Sequence, residues 1–166
     1  MTSNRRRFRE LLPNLPLGSL LPGLKNSITD IPGVKASILT CVHSPDILTG
    51  LTAIVPRPNI FHNPCFAGIF RFNGNGELSG SHWIEETGLL NSPIMITNTF
   101  AVGAVSEGVL RYLKDEEKEG SNGLYWCLPV VVSASICCDD AREKHLTAIS
   151  MTSPPSLYGL TMQFKF

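Results

Sequence analysis

No apolar run in this chain approaches the eighteen or so residues that a membrane-spanning helix needs. The amino terminus also lacks the apolar stretch of a secretory signal. Charge is scarce, at 17% of residues, and fourteen basic residues cancel fourteen acidic ones. That balance gives no reason to expect nucleic acid or an anionic membrane as partner. The five cysteines, at positions 41, 65, 127, 137 and 138, are odd in number and show no C-x-x-C spacing. This argues against a zinc site or a disulfide framework and for a reducing compartment, so a cytoplasmic location is expected. Cys137 and Cys138 are adjacent, but nothing nearby would lower a thiol pKa, and idle thiols are the simpler reading.

What is present suits one globular domain. The 166 residues are 43% hydrophobic, and a chain of this size buries roughly 70% of its unfolded surface. The charge is uneven, with Arg5, Arg6, Arg7 and Arg9 near the start and an acidic run over residues 115–119. A mitochondrial presequence is disfavoured by Glu10, Pro13 and Pro16. Residues 1–24 read as an arm, because prolines and glycines interrupt its leucines and exclude a long helix.

Short apolar runs predict strands over residues 34–40, 51–55, 67–72, 94–97 and 128–132. Their near-continuity suggests burial on both faces. Asn98 or Thr99 can cap a helix whose stripe is Val102, Val105, Val109, Leu110 and Leu113. That helix should fade near Lys114, where acidic residues meet the negative end of its dipole. Residues 81–90 hold a brief helix or an irregular loop ended by Gly88, and residues 120–123 form a loop. Strands alternating with at least one good helix make the fold class α/β.

The densest concentration of chemistry is residues 72–90, FNGNGELSGSHWIEETGLL. Its G-x-G-x-x-x-G spacing misses the dinucleotide fingerprint by one residue, which makes a phosphate site improbable. The plain reading is a tight turn whose glycines need positive φ. The functional reading is a turn presenting Asn73, Asn75 and Glu77 to a pocket: amides can donate to an oxyanion, and a carboxylate can hold an ammonium group. Both can hold together. Ser81 and His82 are neighbours in sequence, which is not the geometry of a catalytic pair. Glu85 and Glu86 diverge on a helix, so one can face a site while the other is solvated. Trp83 is placed beneath the turn, its ring buried.

Several blocks then line up, in order, with one family. KNSITDIPGVKAS resembles the opening element of the DmpA-type L-aminopeptidase/D-amidase/D-esterases. TGLTAIVPRPNIFHNPCFAGIF is similar to a strand of that family and the segment after it. FNGNGELSGSHWIEETGLL with SPIMITNTFAVGAV resembles its longest signature, and NGLYWCLPVVV the strand that follows. The likeness runs over roughly residues 5–131. It implies an amino-terminal-nucleophile-like αββα sandwich, here only in part and incomplete. Members are similar in cutting themselves before a serine or threonine, whose freed hydroxyl then attacks short peptides, amides or esters with its own α-amine as base. The resemblance implies no metal or organic cofactor, a short peptide or amide as substrate, and homo-oligomers.

The resemblance stops after Val131. The family continues with an acidic residue and an Asp-Gly turn, whereas Ser133-Ala-Ser-Ile-Cys-Cys stands here. The expected organisation is therefore an arm (1–24), a family portion (25–131) and an unrecognised, non-native tail (132–166), such as a frameshift or unspliced intron would produce. The expected function is the amino-terminal portion of a self-processing aminopeptidase whose nucleophile is absent, with Asn73, Asn75 and Glu77 on the substrate side and no catalytic residue assigned. The alternative is a catalytically silent truncated paralogue or interaction module. Ornithine acetyltransferases share the self-cleaving architecture but lack the Asn-Gly-Asn-Gly-Glu block.

Overall fold

The computed structural model describes residues 6, 8–15, 18–43, 47–116 and 126–134. The readings made for Arg5, Arg7, the 120–123 loop, Cys137 and Cys138 lie outside them, as does nearly all of the tail. The elements are α1 (Phe8–Leu11), β1 (Lys35–His43), β2 (Ile47–Val55), β3 (Cys65–Phe66), α2 (Ser81–Thr87), β4 (Leu89–Leu90), β5 (Ile94–Thr97), α3 (Val102–Glu116) and β6 (Val130–Ser133).

Four strands form one sheet in the order β1-β2-β5-β6, and β3 and β4 form a separate pair. β1 pairs antiparallel with β2 from Lys35 opposite Val55 to His43 opposite Ile47. β2 pairs antiparallel with β5, whereas β5 and β6 run parallel, Ile94 opposite Val130. A parallel pair needs a long crossover, and α3 lies within the one between β5 and β6. Gly50 occupies β2 because a Cβ there would come within 2.7 Å of the Leu39 carbonyl oxygen.

The period of two sorts the sheet's side chains. Leu51 and Ala53 of β2, Met95 of β5 and Val131 of β6 share one cluster with Ala101, Val105 and Val109 on and before α3. On the other face, Val130 joins Ile84 of α2 and Leu90 of β4, with Ile94, Leu78, Cys65 and Ala67 packed around them. The chain is thus α/β, with a helix on one face and a smaller β-pair plus helix at one end of the other. Burial on both faces fails at β1: Ile38 is 75% exposed, because β1 is an edge strand covered only on the side of Leu39.

Two expectations about helices and strands are corrected. Leu110 stands 46% exposed, since it is turned about 100° away from Val109 on the helix. The end of α3 at Glu116 agrees with the fading expected near Lys114. Residues 67–72 do not form a ladder. Positions 65, 67 and 69 turn inward while Phe66 and Phe70, 93% and 85% exposed, turn outward. The segment therefore has a strand's alternation, yet its partner β4 is two residues long, cut short by Gly88 at φ +69°, which closes α2. Beyond Phe66 the pair keeps one further bond, Ala67 N–H to the Gly88 carbonyl.

The turn before β1 is built around Asp30. Its carboxylate accepts the Lys25 N–H at 2.9 Å and the Ser27 N–H at 3.1 Å, and Ser27 caps the short turn Ile28–Asp30 in a capping box. Gly23 is required beneath it, since a Cβ would lie 2.5 Å from Asp30 Oδ2. The Lys25 and then the Ser27 amide hold the Asp30 carboxyl below the usual aspartate value. A depressed folded-state pKa stabilises the fold above the unfolded-state pKa, and this is lost as pH falls through the folded-state value. A carbon-detected NMR titration should place the Asp30 midpoint below that of unstructured aspartate, with the Lys25 and Ser27 amide resonances moving together. A midpoint in the ordinary range would contradict the contact.

Candidate functional site

Asn73, Asn75 and Glu77 sit on one loop that runs from residue 72 and returns along the outer edge of β6. Asn73 Oδ1 accepts the Asn75 N–H at 2.9 Å, a local turn that asparagine makes readily. The chain then falls in beside β6. Ser133 N–H donates to the Glu77 carbonyl at 2.9 Å, Leu78 bridges to Val132, and Ser79 N–H donates to the Val131 carbonyl at 3.1 Å. Two serine hydroxyls complete the seam. Ser79 Oγ donates to the Pro129 carbonyl at 2.7 Å and accepts the Val131 N–H at 2.9 Å. Ser133 Oγ accepts the Glu77 N–H at 2.6 Å.

The glycines are explained differently from the sequence reading. Gly74 and Gly76 do not take positive φ; Gly80, at +69°, does. Gly76 is needed for close approach, because a Cβ there would lie 3.3 Å from the Ser133 carbonyl oxygen. Gly80 is needed for both reasons, its Cβ position being 3.0 Å from the Leu128 oxygen. The side chains of Asn73, Asn75 and Glu77 all project to the surface. The structure therefore brings the three together on one loop, with amides and a carboxylate facing solvent.

Other residues singled out fall around this loop. Arg71 Nη2 pairs with Glu85 Oε2 at 2.7 Å across the loop's incoming limb, so Glu85 is engaged and Glu86 is solvated. His82 is exposed. Trp83 is half-buried against Trp126, ring centroids 4.3 Å apart in an edge-on arrangement, and its buried Nε1 has no partner among the described residues. Asn91 Nδ2 donates to the Trp126 carbonyl at 2.9 Å. Ser79 and Ser133 were missed as contributors. Their partners lie 50 to 56 positions away, and no local pattern signals such a bond.

A shallow depression of about 420 Å³ opens on the sheet at Ile38, Thr40, Gly50, Thr52, Ile96 and Asn98. Its polar groups serve the fold: Asn98 Nδ2 donates to Thr49 Oγ1 at 2.8 Å, and Asn98 Oδ1 accepts the Ala101 N–H at 3.0 Å. Among the described residues no ionisable side chain lines it. Among the described residues no cluster of His, Cys, Asp or Glu is arranged to hold a metal, and no helix is long and apolar enough to cross a membrane.

Residues 26–155 match the sequence model of Peptidase family S58, a span that runs on past Val131. The β-peptidyl aminopeptidase BapA of Sphingosinicella microcystinivorans is 36% identical over 118 residues, covering 66% of this chain and 29% of that protein. BapA of Sphingosinicella xenopeptidilytica is 32% identical over 97 residues, covering 54% and 24%. A Burkholderia sp. β-aminopeptidase superposes with a TM-score of 0.67 at 40% identity, over 77% of this chain and 36% of its own. The L-aminopeptidase D-Ala-esterase/amidase of Ochrobactrum anthropi, described as a prototype serine aminopeptidase and a variant of the Ntn hydrolase fold, gives 0.61 at 33%, over 72% and 35%. The chain thus spans about a third or less of the length of these relatives.

Alanine substitution separates the two kinds of glycine. Gly80→Ala should cost about 1–3 kcal/mol in urea denaturation, through strained φ and overpacking. Gly74→Ala, whose Cβ would meet nothing within 4 Å, should change stability by less than about 0.5 kcal/mol. Equal effects would show that close approach to β6 is not what selects these glycines.

Proposed function

The chain belongs to Peptidase family S58, and on that premise we propose that it is the amino-terminal portion of a self-processing aminopeptidase or amidase. The observation that carries this reading is the continuous family match over residues 26–155, joined to superposition on solved aminopeptidases of the Ntn hydrolase fold. The DmpA-type family and the α/β, Ntn-like class expected from the sequence both hold. The reaction proposed is hydrolysis of short peptides, amides or esters by a serine or threonine nucleophile supplied from sequence outside this chain. Peptides with an amino-terminal β-residue are included, given what the BapA relatives are named for.

In this reading the attacking hydroxyl gives its proton to its own α-amine as its oxygen bonds to the scissile carbonyl. That amine returns the proton to the departing amine, and water then releases the acyl group. Asn73, Asn75 and Glu77 form one wall on the substrate's amino-terminal side. The Glu77 carboxylate holds the ammonium group, and an asparagine amide is positioned to donate to developing negative charge. No metal or organic cofactor takes part, and the assembled enzyme is a homo-oligomer.

A second reading, a catalytically silent chain that binds full-length relatives, is favoured by the outward-facing Phe66, Phe70 and Phe72. Elution of a monodisperse complex with such a relative, from a column on which the chain alone runs separately, would support it.

The isolated chain is expected not to hydrolyse an amino-acid p-nitroanilide. Joined to the remaining two-thirds or so of a relative, it should do so. In that fusion Glu77→Ala should lower kcat/KM by about ten- to a hundredfold, the range expected for losing one charge-assisted hydrogen bond. Turnover by the isolated chain would defeat the proposal that the nucleophile lies elsewhere. Unchanged kcat/KM in Glu77→Ala, with the loop intact, would make Glu77 structural.

A further inference from the structure

We infer that Ser133 is a positioning residue: it sets where the Glu77 carboxylate stands, and so how the site grips a substrate's amino group. The inference rests on the reading of Glu77 as an ammonium-binding group. Its basis is a reciprocal contact. Both peptide groups flanking the Glu77 side chain are tied to Ser133, the N–H to its hydroxyl at 2.6 Å and the carbonyl to its N–H at 2.9 Å. Two bonds to a single residue fix the plane from which the Glu77 Cα–Cβ bond departs. The side chain itself is exposed.

Ser133 in turn is well anchored. It is 8% exposed, stands opposite Thr97 in the parallel β5-β6 pair, and is followed by Ala134, whose N–H donates to the Thr97 carbonyl at 2.8 Å. The position of the sheet is thereby passed to Glu77 through the Ser133 hydroxyl and N–H. Ser79 anchors the loop after Glu77, but before Glu77 the described residues show nothing comparable. The loop's incoming limb is held by the solvated Arg71–Glu85 pair, a kind of contact worth roughly 0–1 kcal/mol, and its tip by the Asn73–Asn75 turn.

The regular ladder also ends here. Leu78 and Val132 make a single isolated bridge, and beyond it the Glu77 N–H turns to a side-chain acceptor. Removing that acceptor leaves a partly buried donor unpaired, which strongly favours movement of the residue. Ser133 lies within the span matched by the family's sequence model, 56 positions past the Glu77 it holds.

The test is a titration of the unsubstituted chain with L-alaninamide, which carries an ammonium group beside an amide. The Glu77 side-chain carbon resonance is followed by NMR. A saturable shift is expected. Ser133→Ala should weaken the apparent Kd threefold or more while the amide spectrum stays dispersed, and Ser133→Thr, which keeps the acceptor, should restore it. Should Ser133→Ala unfold the chain, Ser133→Cys, close in size but a weak acceptor, takes its place, with weaker binding again expected. Parental affinity in Ser133→Ala or Ser133→Cys would overturn the positioning role and leave the site reading standing. Failure of Ser133→Thr to restore binding would likewise overturn it. No saturable Glu77 shift in the parent chain would overturn the site reading, and the inference with it.

Discussion

Everything described here depends on the seating of β6 beside β5. Val131 at its centre is fully buried. One face of β6 meets α3, the other meets α2 and β4, one edge carries the parallel pair with β5, and the opposite edge takes the Glu77–Ser79 segment. A strand buried on both faces and occupied along both edges has little freedom to shift. A one-residue slip would reverse every side chain on it, exposing Val131 and burying the wrong partner for the loop. The loop inherits its place from that strand, and the three polar residues it carries inherit theirs from the loop.

The parts of the fold that were legible in the sequence are those governed by local rules. Residues 94–97 formed the expected strand because their apolar run is short, bounded and central. Asn98 began the next turn because its side-chain oxygen can reach the Ala101 amide. The strand expected at 51–55 starts earlier, at Ile47, since Thr49 and Gly50 interrupt the apolar pattern while their backbone still pairs with β1. The 67–72 segment has strand periodicity without a ladder, because hydrogen-bonding partners are a property of the neighbouring element. The roles of Ser79 and Ser133 had no local signature at all.

The candidate site shows the same division. Composition and the family signature pointed to Asn73, Asn75 and Glu77, and the structure gathers them on one exposed loop. The reason for the glycines was misjudged at Gly74 and Gly76, where neither φ is positive, and close approach to Ser133 is what Gly76 provides. A backbone laid flush against a strand is a long-range fact, visible only once β6 is in place. What the family contributes is the chemistry: this chain belongs to a hydrolase family, and its loop presents three polar side chains to solvent.

The most direct measurement of this account is residue-resolved amide hydrogen exchange on the intact chain. If the loop is seated on β6, the Glu77 and Ser79 amides exchange slowly and in step with Val131, while Gly74, at the exposed tip, exchanges fast. Glu77 and Ser79 exchanging at the rate of free peptide, with Val131 still protected, would show that the loop is not held by the strand and would contradict the account.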